Sequence, residues 1–441
     1  MIETSSFLAS DFLVAFFHSL NAEKIEYAVL RNSEGLPYQN SSKDIDILFR
    51  EVSIEKSRDL AHKIGADLGY KCIWRNDLDY LYGLVLVRQD EDKLATVKLD
   101  LFKGLHWRGF EFASTELLLS ARKINSVYKL DSLDEAVVMV CYYSLYAKKI
   151  RKKYRKRLLS TLSENNFAFR FEQLTSLKWE HMSLNSESDW NNMCLRLNRR
   201  FRRKFAVSVL EFPSFINSCW LEYVLRTRFG AFLSVSGFDG CGKSSLLDSL
   251  NLELHSLGIT DREVPNHLLS SQVPAPHQLF KRTKRITESS YDKPYSLGEV
   301  GYVQSLIRMV YYFFAFSIDR LIRFWRMRRN TLVIYDRYVI DFLVDPSRFR
   351  INRIPGLSCL FRVFIKKNHI KIIVLADPVT SVERKNELTL EKAKTLYKSY
   401  LENAEKFPGT VVFFNNSDLK SSRMGFNKLV FEALEKHYES M

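Results

Sequence analysis

The sequence predicts an α/β protein in which a C-terminal parallel sheet with helices on both faces follows an α+β domain with a helical extension. Two observations lead to this fold class. After Phe229, apolar strand patterns alternate with helical patterns, as they do in parallel sheets. Before Phe229, the predicted strands come first and a long, mostly helical stretch follows, as in α+β domains.

The first 160 residues have the pattern of the α+β domain. Amphipathic periodicity predicts helices over 7–22 and 54–69, and most of 132–163 is helical. Alternating or apolar runs predict strands over 26–31, 43–49, 80–87 and 94–102. We expect one domain over 1–160 and a basic helical connector, without chemical signatures, over 161–225.

Residues 226–441 have the pattern of the parallel sheet. Strands are predicted over 231–236, 331–335, 370–376 and 410–414, and helices over 244–257, 389–403 and the C-terminal end. The most hydrophobic stretch, 303–325, contains Arg308, Asp319, Arg320 and Arg323, each of which is costly within a bilayer. We expect a buried helix of a globular domain here and no transmembrane segment. Interfacial membrane contact through the basic end of the stretch, 323–329, is the alternative.

Composition excludes several classes of protein. The chain has 441 residues, 46% of them hydrophobic, which excludes global disorder and predicts two or three domains. Six cysteines without a CxxC pair, and no evident secretory signal, favour a reducing cytoplasm over a disulfide framework or a zinc finger. Residues 1–140 carry a net charge of −5 (17 basic, 22 acidic) and residues 141–441 carry +20, which predicts partners with phosphate groups or an anionic surface.

The strongest motif is glycine-rich. Residues 237–244 fit the pattern GxxxxGK[ST] between a predicted strand and a predicted helix, which is the context of a phosphate-binding loop. Backbone N–H groups of such a loop surround phosphates, Lys243 reaches the outer phosphates, and the Ser244 hydroxyl binds Mg²⁺. The predicted ATP-binding residues are Gly237, Gly240, Cys241, Gly242, Lys243, Ser244 and Ser245.

A second candidate site lies at the end of a predicted buried strand, where ligands bind in open α/β sheets. Residues 332–335 are apolar or aromatic and lead to Asp336 and Arg337. Asp336 is predicted either to hold Mg²⁺ or to accept a proton from an attacking oxygen, and Arg337 to bind a substrate phosphate. A surface Asp–Arg pair is the simpler alternative.

These segments resemble those of thymidylate kinases. Val-Ser-Gly-Phe-Asp-Gly-Cys-Gly-Lys-Ser-Ser at 235–245 resembles that family's phosphate loop, Asp319-Arg320 resembles its helical Asp-Arg pair, and 335–338 resembles its Ser-Asp-Arg-[YF] segment. Arg262-Glu263 resembles its Arg-Glu-Pro turn, and 376–384 resembles its last core strand and the start of its lid. The resemblance covers about residues 229–441.

The resemblance implies a kinase that uses ATP and Mg²⁺ and, as one assembly to test, a homodimer. It implies that Asp239 and Arg337 lie on the acceptor side, that Arg320 lies near the acceptor's phosphate, and that Arg384 lies in or beside a lid. A solvated helix residue is the alternative for Arg384. The family's loop Glu is Ser236 here, so specificity for thymidine monophosphate does not carry over.

Three acids define a candidate site in the first domain. Asp44 and Asp46 share one face of a predicted strand, because side chains two residues apart point the same way. Two such carboxylates repel unless a cation lies between them, which suits Mg²⁺. With Asp100 from another predicted strand, they give the set that a two-metal nucleotidyl transfer needs. An exposed acidic strand end is the alternative.

This region resembles the DNA polymerase β-like nucleotidyltransferases. The resemblance lies in Leu-Arg-Asn before Asp-x-Asp, and in the later Leu105-His106-Trp107, and is greatest to a poorly characterised bacterial branch. It covers about residues 20–160. The superfamily's Gly-Ser is Arg-Asn-Ser at 31–33 here, so its triphosphate binding does not carry over, and a catalytically inactive form of the fold is an open alternative.

Two basic runs lie outside these motifs. Residues 148–157 hold eight basic residues in ten, and 199–204 form a second run. Tyrosines beside and within the first run, at 142, 143, 146 and 154, suit binding to a nucleic-acid backbone. A solvated helix face that closes over the first domain's site and contacts a phosphorylated substrate is the other interpretation.

We predict a kinase acting on a small-molecule phosphate acceptor, fused to a metal-dependent nucleotidyltransferase. The predicted catalytic residues are Lys243, Asp239, Asp336, Arg337 and Arg384, and the predicted substrate-binding residues are Asp239, Arg320 and Arg337. The predicted metal ligands are Ser244, Asp336, Asp44, Asp46 and Asp100. The alternatives are an ATP-switched regulator that binds nucleic acid and a scaffold with an inactive first domain.

Overall fold

The computed structural model of the protein mixes helices with strands and contains a parallel sheet, as an α/β fold requires. It describes residues 9–39, 44–78, 80–90, 93–122, 126–164, 166–181, 184–207, 230–260, 262, 265–269, 300–327, 331–352, 357–365, 369–385 and 387–440. The chain divides into two compact units, residues 1–225 and 226–441.

The first unit combines a mixed sheet with seven described helices. The helices are α1 Ser10–Ala22, α2 Ile54–Asp67, α3 Thr115–Ser120, α4 Ser132–Tyr142, α5 Lys152–Leu162, α6 Phe167–Thr175 and α7 Glu187–Val207. The strands are β1 Tyr27–Val29, β2 Ile45–Phe49, β3 Lys71–Leu78, β4 Leu81–Asp90, β5 Lys93–Lys103, β6 Leu105–Trp107 and β7 Phe110–Ala113. β6 and β7 form a separate hairpin.

The main sheet of the first unit has the order β1-β2-β5-β4-β3. β2 and β5 run parallel, with Asp46 directly opposite Asp100, and the other pairs are antiparallel. All five residues of β2 are buried, because helices or loops cover both of its faces. The central strand pair therefore brings two of the predicted acids together inside the unit.

Two apolar clusters fill the first unit. One contains residues of α1 and α2, such as Phe16 and Ile64, with one set of sheet residues. The other contains residues of α4 to α7, such as Phe171 and Phe201, with the β6–β7 hairpin. The described helices of the predicted connector, α6 and α7, are thus part of the first unit's core.

The second unit is a parallel sheet covered by helices. Its strands are β8 Phe232–Ser236, β9 Asn266–His267, β10 Val333–Asp336, β11 Ile370–Leu375 and β12 Thr410–Phe414. Its helices are α8 Lys243–Ser256, α9 Tyr302–Met327, α10 Val339–Val344, α11 Pro378–Arg384, α12 Leu390–Lys406 and α13 Leu419–Glu439. The 3₁₀ segments Pro346–Phe349 and Leu357–Phe364 follow α10.

The sheet of the second unit has the order β12-β11-β8-β10-β9, and all of its pairs are parallel. The chain leaves the central strand β8 toward one side of the sheet and later returns to the other side. Ligands bind at such a switch in direction, beyond the carboxyl ends of the strands.

The helix predicted over 303–325 is present as α9, but only one of its faces is buried. One face of α9 is buried, with Met309, Tyr312 and Phe316 in the core, but Phe314 and Leu321 are each 62% exposed. Apolar side chains lie on two faces of the helix, and the sheet and its neighbouring segments cover only one of them. No helix among the described residues is long and apolar enough to cross a membrane.

Some of the predictions concern residues that lie outside the described ranges. Glu263 of the predicted Arg-Glu turn, and Cys219, lie outside the described residues. Four cysteines, at 72, 141, 194 and 241, are described as free.

Candidate functional site

The phosphate loop, residues 237–244, leads from β8 into α8 at the carboxyl edge of the parallel sheet. Gly237 and Gly240 have positive φ angles of 150° and 85°. A Cβ atom at Gly237 would lie 2.2 Å from the carbonyl oxygen of Val374, and one at Gly240 would lie 2.1 Å from that of Ser381. Only glycine fits at these positions, so the loop packs closely against β11 and α11.

Lys243 is the first residue of α8 and is buried. Its ammonium group donates a hydrogen bond to the carbonyl oxygen of Phe238 over 2.7 Å. Burial lowers the pKa of Lys243, and the positive charge of Arg337 acts in the same direction. An anion in the loop would offset both effects, because an opposite charge favours the protonated form of a lysine.

Ser244 and Asp336 meet beside the loop. The Ser244 hydroxyl donates to Asp336 Oδ2 over 3.3 Å. Asp336 is the last residue of β10, which pairs in parallel with β8, so sheet register places its carboxylate next to the start of α8. A hydroxyl and a carboxylate oxygen at this distance are ligands that Mg²⁺ takes beside nucleotide phosphates. The two metal ligands predicted for this unit therefore lie together.

Other predicted residues surround the N-terminus of α8. Cys241 is buried, and its carbonyl oxygen accepts a hydrogen bond from Asn415 Nδ2 over 2.8 Å. A Cβ atom at Gly242 would lie 2.3 Å from that same nitrogen and 3.9 Å from Nη1 of Arg384. Arg384 is exposed, as is Ser245. The guanidinium group of Arg384 is thus close to the loop, where it can meet a phosphate.

Asp239 and Arg337, both predicted to bind the acceptor, form an internal ion pair. Arg337 Nη2 donates to Asp239 Oδ1 over 2.6 Å, and both side chains are 5% exposed. Arg337 Nη1 donates to the Gly237 carbonyl over 2.8 Å and to Asp341 Oδ1 over 3.1 Å. Arg348 also donates to Asp239. These charged groups neutralise one another and brace the loop.

Arg320 lies on α9, where it is half-buried. Burial raises the pKa of Tyr338 to about 12, and the charges of Arg323 and Arg320 act against this rise. Tyr338 follows Arg337 and is the N-cap residue of α10. Arg320 is therefore close to the segment after β10, where an acceptor would enter.

The acids predicted in the first unit also come together. Carboxylate oxygens of Asp44, Asp46 and Asp100 lie within 4.8 Å of one another. Burial raises the pKa of Asp100 to about 7, and the negative charge of Asp46 adds to the rise. Burial also raises the pKa of Asp46, although Arg31 opposes it. Such a cluster favours either protons or a cation.

Two cations act on this cluster: Lys98 lowers the pKa values of Asp100 and Asp46, and Arg31 contacts the carboxylates directly. Its guanidinium group forms ion pairs with Asp46 and, at 3.9 Å, with Asp44. It also donates to the Tyr143 hydroxyl over 3.3 Å and lies 5.8 Å from the centre of the Tyr142 ring. Arg31 belongs to the Leu-Arg-Asn segment, where the nucleotidyltransferase superfamily has Gly-Ser. The sequence drew attention to this position without predicting its contact.

An apolar pocket adjoins Arg31 and Asp46. The other residues that line it are Leu30, Phe102, Leu105, Val138, Met139, Tyr142 and Tyr143. The last of these begins a π-helical segment, Tyr143–Ala147, that continues α4. Such segments are frequent at functional sites. The pocket has charged groups at one end and apolar walls, and its volume of about 20 Å³ has room for a water molecule.

Less of the first basic run, residues 148–157, is available for binding nucleic acid than its sequence indicates. Tyr143 and Tyr154 are buried, so these two tyrosines are core residues and offer no surface on which bases could stack. Arg155 pairs with an acid of α7 over 3.3 Å. The second run, 199–204, lies on α7 itself. These contacts favour the interpretation of a solvated helical face for much of the region.

Comparison with known proteins adds little to the geometry. No protein-family model matches the sequence, and neither does any curated protein. Among solved structures, the thymidylate kinase from Ehrlichia chaffeensis is similar to part of the chain, with 13% sequence identity over 45% of this chain and 98% of that chain. The TM-score is 0.29, which is too low to support an argument.

Proposed function

We propose that the second unit transfers a phosphoryl group from ATP to a small acceptor with a phosphate or hydroxyl group. The observation that carries this proposal is the contact of Ser244 with Asp336 beside the phosphate loop. Together with the buried Lys243, these residues place a hydroxyl, a carboxylate and an ammonium group around one helix N-terminus. That combination suits the triphosphate of a nucleotide and its Mg²⁺ ion.

The residues have distinct roles in the proposed reaction. Backbone N–H groups of the loop bind the outer phosphates, and Lys243 exchanges the Phe238 carbonyl for a phosphate oxygen. Ser244 and Asp336 would hold Mg²⁺, which neutralises negative charge on the phosphates. Arg384 stabilises the charge that develops on the transferred group.

The roles of the residues on the acceptor side are proposed from the charge and position of their side chains. Arg320 binds the acceptor's phosphate, and Arg337 with Asp239 keeps the loop in place so that its donors need no reorganisation. The alternative role for Asp336, in place of holding Mg²⁺, is to accept a proton when the acceptor attacks through a hydroxyl group.

A coupled assay of ATP consumption tests the kinase proposal. Nucleoside monophosphates, nucleosides and sugar phosphates are offered in turn, and we expect one class to stimulate turnover. Lys243→Met should lower that turnover by roughly a hundred-fold or more, because the charge is lost where the phosphates are bound.

Lys371→Met is the matched control. Lys371 is also a buried lysine of the second unit, but it lies near the start of β11, away from the carboxyl edge of the sheet. Its variant should keep the acceptor-stimulated turnover. ATP binding without stimulation by any acceptor would contradict the proposal, and so would equal losses in the two variants.

We also propose a second activity, metal-dependent nucleotidyl transfer by the first unit. The specific observation is the convergence of Asp44, Asp46 and Asp100 beside a pocket. These carboxylates would hold Mg²⁺, which supplies charge neutralisation at the reacting phosphate. Arg31 would then turn from the carboxylates to a phosphate oxygen of the nucleotide.

Binding of Mn²⁺ to the full chain, without nucleotide, tests the metal site of this second activity. Asp46→Asn should weaken binding by at least about tenfold, because it removes a charged ligand. Asp90→Asn is the control, since Asp90 is an acid of β4 that pairs with Arg88. Equal affinity of the wild type and Asp46→Asn would rule out this site and the activity that depends on it.

A further inference from the structure

A cluster of cations lies beside the acids of the first unit. Arg31 comes from the turn after β1, whereas Arg151 and Lys153 lie at the beginning of α5. The Tyr143 hydroxyl accepts a hydrogen bond from Arg31 over 3.3 Å. Burial raises the pKa of this hydroxyl, and the charges of Arg31 and Arg151 oppose the rise. Lys153 Nζ lies 4.7 Å from the centre of the Tyr154 ring, which is 6.0 Å from the Tyr143 ring. The three cations therefore meet around two tyrosines.

The pKa of Tyr154 reflects the positive charge around it. Burial ordinarily raises the pKa of a phenol, as it does at Tyr143. Burial acts in the same way on Tyr154, but side-chain hydrogen bonds with Lys153 and Asn32, and the charge of Arg31, lower the pKa below its ordinary value. Surroundings that stabilise a negative charge on a phenol also stabilise other anions.

The beginning of α5 has the opposite charge from the one that a helix prefers. The N-terminal end of a helix carries a partial positive charge and is stabilised by acids. Helix α5 begins instead with Arg151, Lys152 and Lys153, and it has neither an acid in its first turn nor a side-chain hydrogen bond at its N-cap. These cations repel one another and the helix end, so an anion bound among them would offset an unfavourable arrangement.

Two of the cations on α5 are accessible to a ligand. Lys152 pairs with Glu187 over 3.7 Å, and Arg155 pairs with the same acid over 3.3 Å. Arg151 and Lys153 are exposed, and they form no ion pair with any acid that the structure describes. Both can therefore bind phosphate oxygens without first breaking an ion pair.

The turn that carries Arg31 is held in place by α4. Asn32 has a φ angle of 52°, in the left-handed region that asparagine adopts more readily than most residues. Burial raises the pKa of Glu135 on α4, and the charge of Arg157 together with a hydrogen bond from the Asn32 N–H opposes the rise. Since Arg157 belongs to α5, Glu135 contacts both segments of the cluster. The cations therefore need little reorganisation to meet a ligand.

We propose that the turn after β1 and the beginning of α5 form a binding site for a phosphate group of a small-molecule substrate. The residues of this α5 phosphate site are Arg31, Arg151, Lys153 and Tyr154. Guanidinium groups make paired hydrogen bonds to phosphate oxygens, and the ammonium and phenol groups each add a donor. Three cations match the charge of about −2 that a phosphate monoester carries at pH 7 better than the single charge of a carboxylate.

The position of the α5 phosphate site gives the phosphate a use. Arg31 also pairs with Asp46, so a bound phosphate would lie next to the acids that are proposed to hold Mg²⁺. This use rests on the proposed nucleotidyl transfer, in which the phosphate belongs either to a nucleoside triphosphate or to a phosphorylated acceptor. Binding of the phosphate itself needs neither a metal ion nor turnover.

Calorimetric titration of the full chain in EDTA tests the site, with inorganic tripolyphosphate and glycerol 3-phosphate as the two probes. Every sample carries Lys243→Met, because the phosphate loop of the second unit would otherwise bind the same probes. At least one probe should bind, and adding Arg151→Gln and Lys153→Gln should weaken that binding by roughly tenfold or more, because two charge-assisted contacts are lost. Both positions are exposed, so the fold should be kept, and circular dichroism checks that.

Arg196→Gln with Arg199→Gln is the matched control pair. Both arginines are exposed on α7 and lie outside the α5 phosphate site, so the same loss of charge there should change the affinity by no more than about twofold. Absence of binding by both probes would overturn the proposal, as would equal losses, or no loss, in the two pairs of variants.

The two probes distinguish the source of the phosphate. A loss confined to tripolyphosphate would identify the ligand as the triphosphate of a nucleotide, whereas a loss for glycerol 3-phosphate would identify a phosphorylated acceptor. Because no metal ion is present, these outcomes are independent of the Mn²⁺ titration that tests the nucleotidyl transfer.

Discussion

At Asp100, burial raises the pKa to about 7 from an ordinary value of 3.8, and the carboxylate of Asp46 acts in the same direction. Between these two values the folded protein binds more protons than the unfolded chain. Stability that protonation of Asp100 provides is therefore full below about pH 4 and is lost as the pH rises to about 7. Above about pH 7, Asp100 is ionised, and the metal-free unit carries the full free-energy cost of burying its negative charge.

Asp100→Asn should remove this pH dependence. We compare the unfolding free energy of the variant with that of the wild type at each pH, in a chelating buffer. This difference should be roughly 1–4 kcal/mol more in favour of the variant at pH 8 than at pH 4. Denaturant titrations at the two pH values measure the gain. Asp90→Asn, at a half-buried acid of the same unit that pairs with Arg88, should show no such gain. A difference between variant and wild type that is the same at both pH values would disprove the assignment.

Arg337 lies where its sequence motif predicts, but its side chain makes internal contacts in place of the predicted contact with a substrate. The segment after β10 predicts an arginine at the carboxyl edge of the sheet, and Arg337 lies there. Its charge, however, is taken up by Asp239, which lies 98 residues earlier in the sequence, and by Asp341, which lies four residues later. Local spacing could not predict the contact with Asp239, because the two residues meet only when β10 and the loop after β8 are packed together.

At the scale of elements, the short helix α10 connects the phosphate loop to the rest of the second unit. Asp341 Oδ1 accepts from the Gly237 N–H over 3.1 Å, from the Tyr400 hydroxyl over 2.7 Å and from Arg337. Its other oxygen accepts from the Tyr338 N–H over 3.2 Å. One carboxylate thus joins α10, α12 and the beginning of the loop.

Asp341→Ala should destabilise the second unit and weaken ATP binding together. It leaves a buried arginine short of one partner and two N–H groups, those of Gly237 and Tyr338, without their acceptor, which costs about 3–5 kcal/mol of unfolding free energy. Tyr400→Phe removes one hydrogen bond from the same carboxylate and should cost only about 1–2 kcal/mol. Denaturant titration and ATP titration measure both effects. Unchanged ATP affinity in folded Asp341→Ala would contradict the role in the loop.

The elements themselves were predictable to different degrees. Strands with apolar runs, such as β8 and β11, were predicted within one or two residues of their bounds. β3 was missed, because Arg75, Asn76 and Asp77 are residue types that are common in turns or loops, and pairing with β4 is what holds them extended. Helix α9 was predicted, but periodicity could not tell which of its apolar faces the protein covers.

At the scale of the whole molecule, the chain divides into two compact units, residues 1–225 and 226–441, close to the change of pattern near Phe229. What could not be read was that α6 and α7 join the core of the first unit, because their packing with α4, α5 and the β6–β7 hairpin is a tertiary contact that no local pattern shows. Candidate site residues that share a motif, such as Ser244 and Lys243, were predictable. Arg348, Asn415 and Tyr400 were not, since no local pattern links them to the loop.

Arg31 gives the first unit a permanent counter-charge of its own. Because its guanidinium group already faces Asp46 and Asp44, the sheet does not depend on a divalent ion to keep these carboxylates together. Material prepared in EDTA should therefore keep the fold of this unit. The metal content of protein taken directly from cells then reports how well an ion competes with an arginine, and not whether the chain has folded.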